Sequence, residues 1–198
     1  MYTDNTLTPR EAVRLCALGT LAGGTLRYDA LVHEVRHFVS RITGPSLELM
    51  GESIELLRYE GLVTAVDEDQ GDDPELAISD EGRSMLKDLL CANIRAGSND
   101  LNELIMALKF RFLHLLDITE QVDQVELLIE ACESEAARLG DLRNYHEGDS
   151  GHLTDWLDHD INRIESRLDW LNEFEKKIKT SFRAFWILKS SELVRKAL

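Results

Sequence analysis

The chain is expected to be mainly α-helical with one small β-hairpin: an N-terminal winged helix followed by a long antiparallel helical hairpin. Three observations predict this. SLELMGESIELLRYE (Ser46 to Glu60) spaces Leu49, Ser53 or Ile54, Leu56 and Leu57 at three- and four-residue steps and stops at Gly61, as an amphipathic helix does. LVTAVDE and ELAIS alternate apolar and polar residues around the turn material QGDDP, and DEGRSMLKDLL then opens another apolar-striped helix. Beyond the polar joint NIRAGSND the periodicity is helical throughout.

The elements follow in order. TPRE (Thr8 to Glu11) is a capping-box start with proline at the first helical position, so a helix should run from Pro9 to Leu21 with Val13, Cys16, Ala17 and Leu21 inward. Gly23-Gly24 ends it. A second helix, Tyr28 to Ile42, places Leu31, Val35, Phe38, Val39 and Ile42 on one face, and Gly44-Pro45 breaks the chain before the third. Residues 1–92 should therefore form the winged-helix domain, and residues 99–198 a helical domain.

In that second domain one helix spans Leu101 to Leu116, with Leu101, Ile105, Leu108, Phe112 and Leu115 in phase. Another spans Thr119 to Tyr145, where Val125, Leu128, Cys132, Leu139 and Leu142 follow a heptad interrupted near Glu135. After the loop HEGDSGH, Leu153 to Ile178 repeats the stripe in Leu157, Ile161, Ile164, Leu168 and Leu171. Two amphipathic helices joined by a short loop pair antiparallel, and the pair alone has little area with which to bury both stripes. A second copy should cover it, through Leu108, Phe112, Leu128, Cys132, Leu139, Leu157, Ile161, Ile164, Leu168 and Leu171. Trp156, Trp170 and Phe112 are candidates to line a pocket between hairpin and joint.

Hydrophobic content of 43% with 30% charged residues fits a folded globular chain. It contains no run of about 18 apolar residues, and MYTDNTLTPREA lacks the cationic start and apolar core of a signal peptide, so a cytoplasmic protein without a membrane partner is expected. Cys16, Cys91 and Cys132 lie in apolar helical patterns and are odd in number, which suits buried reduced thiols. HEVRH (His33 to His37) has the spacing of a zinc-binding helix, but Arg36 puts a cation inside it and both histidines oppose the apolar face. No serine, threonine or cysteine has a nucleophile's setting and no glycines make a phosphate cradle. Neither an enzyme, a cofactor nor a metal site is expected.

Charge is uneven. The net charge of −15 places 8 Lys/Arg against 17 Asp/Glu in residues 1–90, whereas residues 176–198 hold 7 Lys/Arg and one acid. That C-terminal segment, KKIKTSFRAFWILKSSELVRKAL, combines cations with Phe182, Phe185 and Trp186; it reads as a basic amphipathic helix whose aromatics pack on the core of the paired chains or which docks on the acidic first domain.

RYEGLVTAV and AISDEGRSMLKDLL, with LDITEQVDQVELLIEACESE and WLDHDINRIESRLDWLNEFE, resemble the PadR family of bacterial transcriptional regulators, including its AphA-like branch, over residues 10–178. The resemblance implies a homodimer that binds operator DNA through paired third helices, modulated by a small molecule or a partner protein. The candidate duplex contacts are Arg27, Arg36, Arg41 and Arg58, with Ser46 and Ser53 as neutral donors. Here the chain departs from the family. A Tyr-Pro step followed by basic residues is the usual pattern, where this sequence has Gly51-Glu52 and then Glu55. The third helix carries Glu48, Glu52, Glu55 and Glu60 against Arg58, and the wing carries Asp67, Glu68, Asp69, Asp72, Asp73 and Glu75 with no cation. Each carboxylate about 4 Å from a phosphate in water opposes binding by about 1 kcal/mol. The alternative is a winged-helix interaction module that has given up DNA for a basic protein surface.

Overall fold

The computed structural model describes residues 6–44, 50–66, 73–94 and 100–196, with side chains at 6–44, 54–66, 73–94 and 100–181. It divides into two compact units, Met1–Leu115 and Leu116–Leu198.

The first unit opens with α1 (Pro9–Ala22), begun by the expected capping box: the Glu11 amide donates to the Thr8 hydroxyl, and the Thr8 amide donates to the Glu11 carboxylate at 2.7 Å. Val13, Cys16, Ala17 and Leu21 are buried as expected. A two-residue strand, β1 (Leu26–Arg27), follows and leads straight into α2 (Tyr28–Thr43). Leu31, Val35 and Val39 are fully buried, Phe38 is half-buried, and Ile42 is 40% exposed rather than inward because the helix has turned its last residues past the core.

After α3 (Met50–Tyr59) come β2 (Val63–Ala65), β3 (Glu75–Ile78) and α4 (Asp80–Leu90). The expected hairpin is thus present, but in a three-stranded antiparallel sheet of order β1-β3-β2. Val63 faces Ile78 across one ladder and Leu26 faces Leu76 across the other. On α3, Ile54 and Leu57 enter the core while Leu56, rotated about 100° from Leu57, stays 39% exposed.

The corner between α3 and α4 explains the two fragments RYEGLV and AISDEG together. Gly61 takes φ +74°, and the Gly61 and Leu62 amides donate to the Arg58 and Leu57 carbonyls, closing α3. The Ser79 amide then donates to the Leu62 carbonyl at 3.1 Å, the Ser79 hydroxyl to the Gly61 carbonyl at 2.8 Å, and the Gly82 amide to the Ser79 hydroxyl at 2.9 Å. A Cβ on Gly82 would lie 2.1 Å from the Leu62 carbonyl oxygen, so no larger residue fits that step.

The helix α5 (Asp100–Phe112) and the short 3-10 turn Leu113–Leu115 belong to this first unit. The boundary expected between residues 92 and 99 therefore falls inside a compact body. Two contacts hold α5 there. Phe112 lies over Gly19 of α1, where a Cβ would meet the ring at 2.6 Å. Lys109, 1% exposed, donates from Nζ to the carbonyls of Leu90 (2.6 Å) and Ala92 (2.8 Å) at the end of α4. Leu108 and Phe112, read as contacts for a second copy, are instead core residues of this unit.

The second unit is an antiparallel pair, α6 (Ile118–Tyr145) and α7 (Leu153–Lys196). An Asp117/Glu120 capping box starts α6. Leu128, Cys132, Leu139, Leu157, Ile164 and Leu171 are buried and Ile161 and Leu168 half-buried, so the two stripes largely cover each other within one chain. Leu142, assigned to the stripe, is 40% exposed, and the heptad interruption is Glu135, 7% exposed with Arg138 at 3.9 Å. Arg143 ties the loop end by donating to Asp158 at 2.9 Å, and Lys179 ties the far end to Glu126 (3.1 Å) and Glu175 (2.7 Å). The backbone of α7 continues past the expected Ile178 end to Lys196, taking in the basic segment. Among the described residues no helix is long and apolar enough to cross a membrane.

Candidate nucleic-acid interface

The candidate surface is built by α2, α3 and the wing formed by β2 and β3. Burial of Ile54 and Leu57 turns Glu55, Leu56, Arg58 and Tyr59 of α3 outward, with Tyr59 90% exposed and Glu60 exposed just past the helix. Beside them runs a groove of about 650 Å³ lined by Glu55, Arg58, Tyr59, Gly61, Val63, Thr64, Ala65 and Pro74. Val66, at the outer end of β2, is also exposed.

The wing is anchored to the start of α2. That helix has no side-chain cap of its own, because its N-cap residue is Arg27. Asp73 supplies one from across the sheet: the Asp29 amide donates to the Asp73 carboxylate at 3.0 Å, which Arg27 Nε also approaches at 2.8 Å. The Tyr28 amide donates to the Pro74 carbonyl at 3.0 Å and the Thr25 hydroxyl to Glu75 at 2.5 Å. The wing segment itself holds no cation, and Arg27 of the neighbouring β1 offsets the charge of Asp73. Arg27 is thereby engaged with the protein itself.

The remaining candidates separate clearly. Arg14, not among them, pairs with Glu60 and so links α1 to the end of α3. Arg58 lies on α3 with Glu55 and Glu60 within a turn of it, and Glu55 hydrogen-bonds Tyr28, whose phenol is held above its ordinary range by burial first and then by that carboxylate. Arg36 and Arg41 stand exposed on α2. Ser46 lies outside the described residues, as does the side chain of Ser53. His33 and His37 stack one turn apart on the exposed face of α2, ring centroids 6.2 Å apart, and among the described residues no cluster of three or more His, Cys, Asp or Glu is arranged to hold a metal.

Sequence reasoning missed Asp73, whose role depends on a partner 44 residues away, and Arg111, whose guanidinium lies 4.5 Å from the Phe38 ring centroid and 5.0 Å from that of Phe112. No local pattern marks either. Cys16 sits beneath this stack, its thiol pushed up to about 12 by burial against the opposing pull of Arg111, which agrees with an inert thiol. Trp156 and Trp170 are about half-exposed on the second unit, Trp170 stacked on Phe174 at 5.3 Å, while Phe112 is in the core of the first.

A family model described as "Putative AphA-like transcriptional regulator" matches residues 2–175. No curated protein matches the chain. Among solved structures, PadR of Bacillus subtilis is 16% identical, with 88% of this chain and 98% of that chain covered and a TM-score of 0.38. The same protein in complex with operator DNA is 18% identical, covering 83% and 98%, with a TM-score of 0.35. A PadR-like transcriptional regulator of Bacillus cereus is 16% identical, covering 85% and 99%, with a TM-score of 0.37.

Proposed function

The chain belongs to the AphA-like family of transcriptional regulators, and from that premise we propose that it acts as a homodimer on double-stranded operator DNA, in the cytoplasm, under the control of a small molecule or a partner protein. One observation carries the reading at the level of this chain: α3 turns Glu55, Leu56, Arg58 and Tyr59 outward beside the strands β2 and β3, and Asp73, just before β3, is tied to the start of α2. A second copy is supported by the apolar surface that α6 and α7 do not cover, at Leu142, Leu153, Trp156 and Trp170.

The test is selection of duplexes from a random-sequence pool by the full chain at low salt, followed by binding measurements on the enriched duplex. Enrichment of one roughly palindromic sequence is expected, with log affinity falling linearly against log salt. A pool that stays unenriched through repeated rounds would end the DNA reading. The second reading, an interaction module for a basic protein surface, is favoured by the outward face of α3 itself, where Glu55 and Glu60 flank the exposed Leu56 and Tyr59.

A further inference from the structure

We infer that the phosphate contacts of this protein lie on the outer face of α2, at Arg36 and Arg41, and not on α3. This rests on the DNA reading above and names the surface that serves it. A chain of net charge −15 approaching a polyanion has few places from which to do so.

Most of the other described cations of the first unit are engaged within the protein, Arg10 and Lys87 among them. Arg14 is paired with Glu60 and Arg27 with Asp73. Lys109 is buried against two carbonyls, and Arg111 lies between two phenylalanine rings. Arg58 is exposed, but Glu55 stands one helical turn before it, and with Glu60 paired to Arg14 the cluster of Arg14, Arg58, Glu55 and Glu60 is neutral, so it offers a phosphate no net positive charge. Arg83 on α4 has Asp80 three residues before it and Asp88 five after.

The outer face of α2 differs. From Val35 to Gly44 the chain reads VRHFVSRITG, without a single carboxylate. Burial of Leu31, Val35 and Val39 fixes which side of this helix faces solvent, and Arg36, His37 and Arg41 are all exposed on it. Among the described residues neither arginine has an ion-pair partner. With a rise of about 1.5 Å and a turn of about 100° per residue they stand about 7.5 Å apart along the axis and about 140° apart around it, on the two flanks of the solvent side, with His37 and the Ser40 hydroxyl between them and the exposed Glu34 two turns before Arg41. Arginine and serine are among the side chains that meet duplex backbone, and a guanidinium can engage a phosphate through two parallel N–H donors. On this arrangement α2 anchors the duplex, and the acidic α3 is held at its margin.

The experiment uses the full chain and the duplex enriched by the selection above, with affinity followed by fluorescence anisotropy from 50 to 200 mM salt. Arg36→Ala and Arg41→Ala are each expected to make the slope of log affinity against log salt shallower by about 0.9, so that the affinity lost across that range shrinks about 3.5-fold per arginine removed. Arg58→Ala should leave the slope as it is. Both α2 arginines are exposed, so thermal unfolding of the variants should match that of the parent, and this is the check on folding. Unchanged slopes in both α2 variants, or a reduced slope in Arg58→Ala, would overturn the assignment to α2 while leaving DNA binding intact. Failure of the parent chain to bind any selected duplex overturns both readings, and it is seen before a variant is made.

Discussion

Lys109 is the residue whose surroundings most contradict its type. Its ammonium is buried beneath the end of α4, and desolvation brings its pKa down from 10.5 to about 8, with the neighbouring Cys91 opposing. The native value lies below the unfolded one, so between about pH 8 and 10.5 the unfolded chain holds more protons and native stability gains as pH rises. Cys16 acts in the opposite sense above pH 9, because its native thiol titrates near 12. The comparison that isolates Lys109 is therefore with Lys109→Met, which keeps Cys16. The parent's stability relative to this variant should grow from pH 8 to 10 in denaturant unfolding; a constant difference would remove the buried ammonium from the account. At pH 7 the variant should lose about 1–3 kcal/mol, since two buried carbonyls lose their donor.

At the scale of elements, the wing and α2 form one piece through Asp73. Its carboxylate stands where an N-cap side chain would, on the second amide of the helix, and it also pairs with Arg27. Asp73→Ala should destabilise the first unit by about 1–2 kcal/mol, a cap of about 1 kcal/mol plus an exposed ion pair worth well under that. Asp73→Asn, which keeps an acceptor for the amide, should fall between parent and Ala. Equal denaturation midpoints for parent and Asp73→Ala would show that α2 needs no such cap. Element ends of this kind differ in how far they can be read from sequence. Thr8, Gly61, Ser79 and Asp117 signal theirs locally, because the partner lies within a few residues. The start of α2 carries no such signal, and β1 is too short for any alternation to appear.

At the scale of the whole molecule, the two units solve different problems. The first buries a mixed helical and sheet core closed by α5, and the second buries a seam between two long helices. What the seam leaves uncovered includes Leu142 and Leu153 and, most exposed of these, Trp156 at 56% and Trp170 at 49%. The homodimer predicts a sedimentation mass near twice 22.5 kDa across a concentration series. Trp156→Glu combined with Trp170→Glu should move that equilibrium toward the single chain, because it places charge on apolar surface that pairing would bury. A parent chain sedimenting at 22.5 kDa at every concentration would sink the homodimer.

By itself the sequence determined the order and type of the helices, the hairpin, the Gly61 and Ser79 corner, and the apolar stripes of α6 and α7. The helices and their ends arise from periodicity and from hydrogen bonds that close over a few residues, and the hairpin and its corner from alternation and turn residues that the local sequence displays, although the bonds of that corner run from Ser79 back to Gly61 and Leu62 and the ladder pairs Val63 with Ile78. Tertiary structure alone decided the uses of Arg27, Lys109 and Phe112. Arg27 reads from its type as a duplex contact and Phe112 from its phase as a pairing residue, while nothing in the local pattern singles out Lys109; each is fixed by a neighbour distant in sequence: Asp73, Gly19 and the end of α4 respectively. It also left Arg36 and Arg41 facing solvent, because burial of Leu31, Val35 and Val39 chose that side of α2. A side chain's chemistry is written in its residue type, but whether that chemistry meets solvent, a ligand or the protein itself depends on which distant segment packs against it.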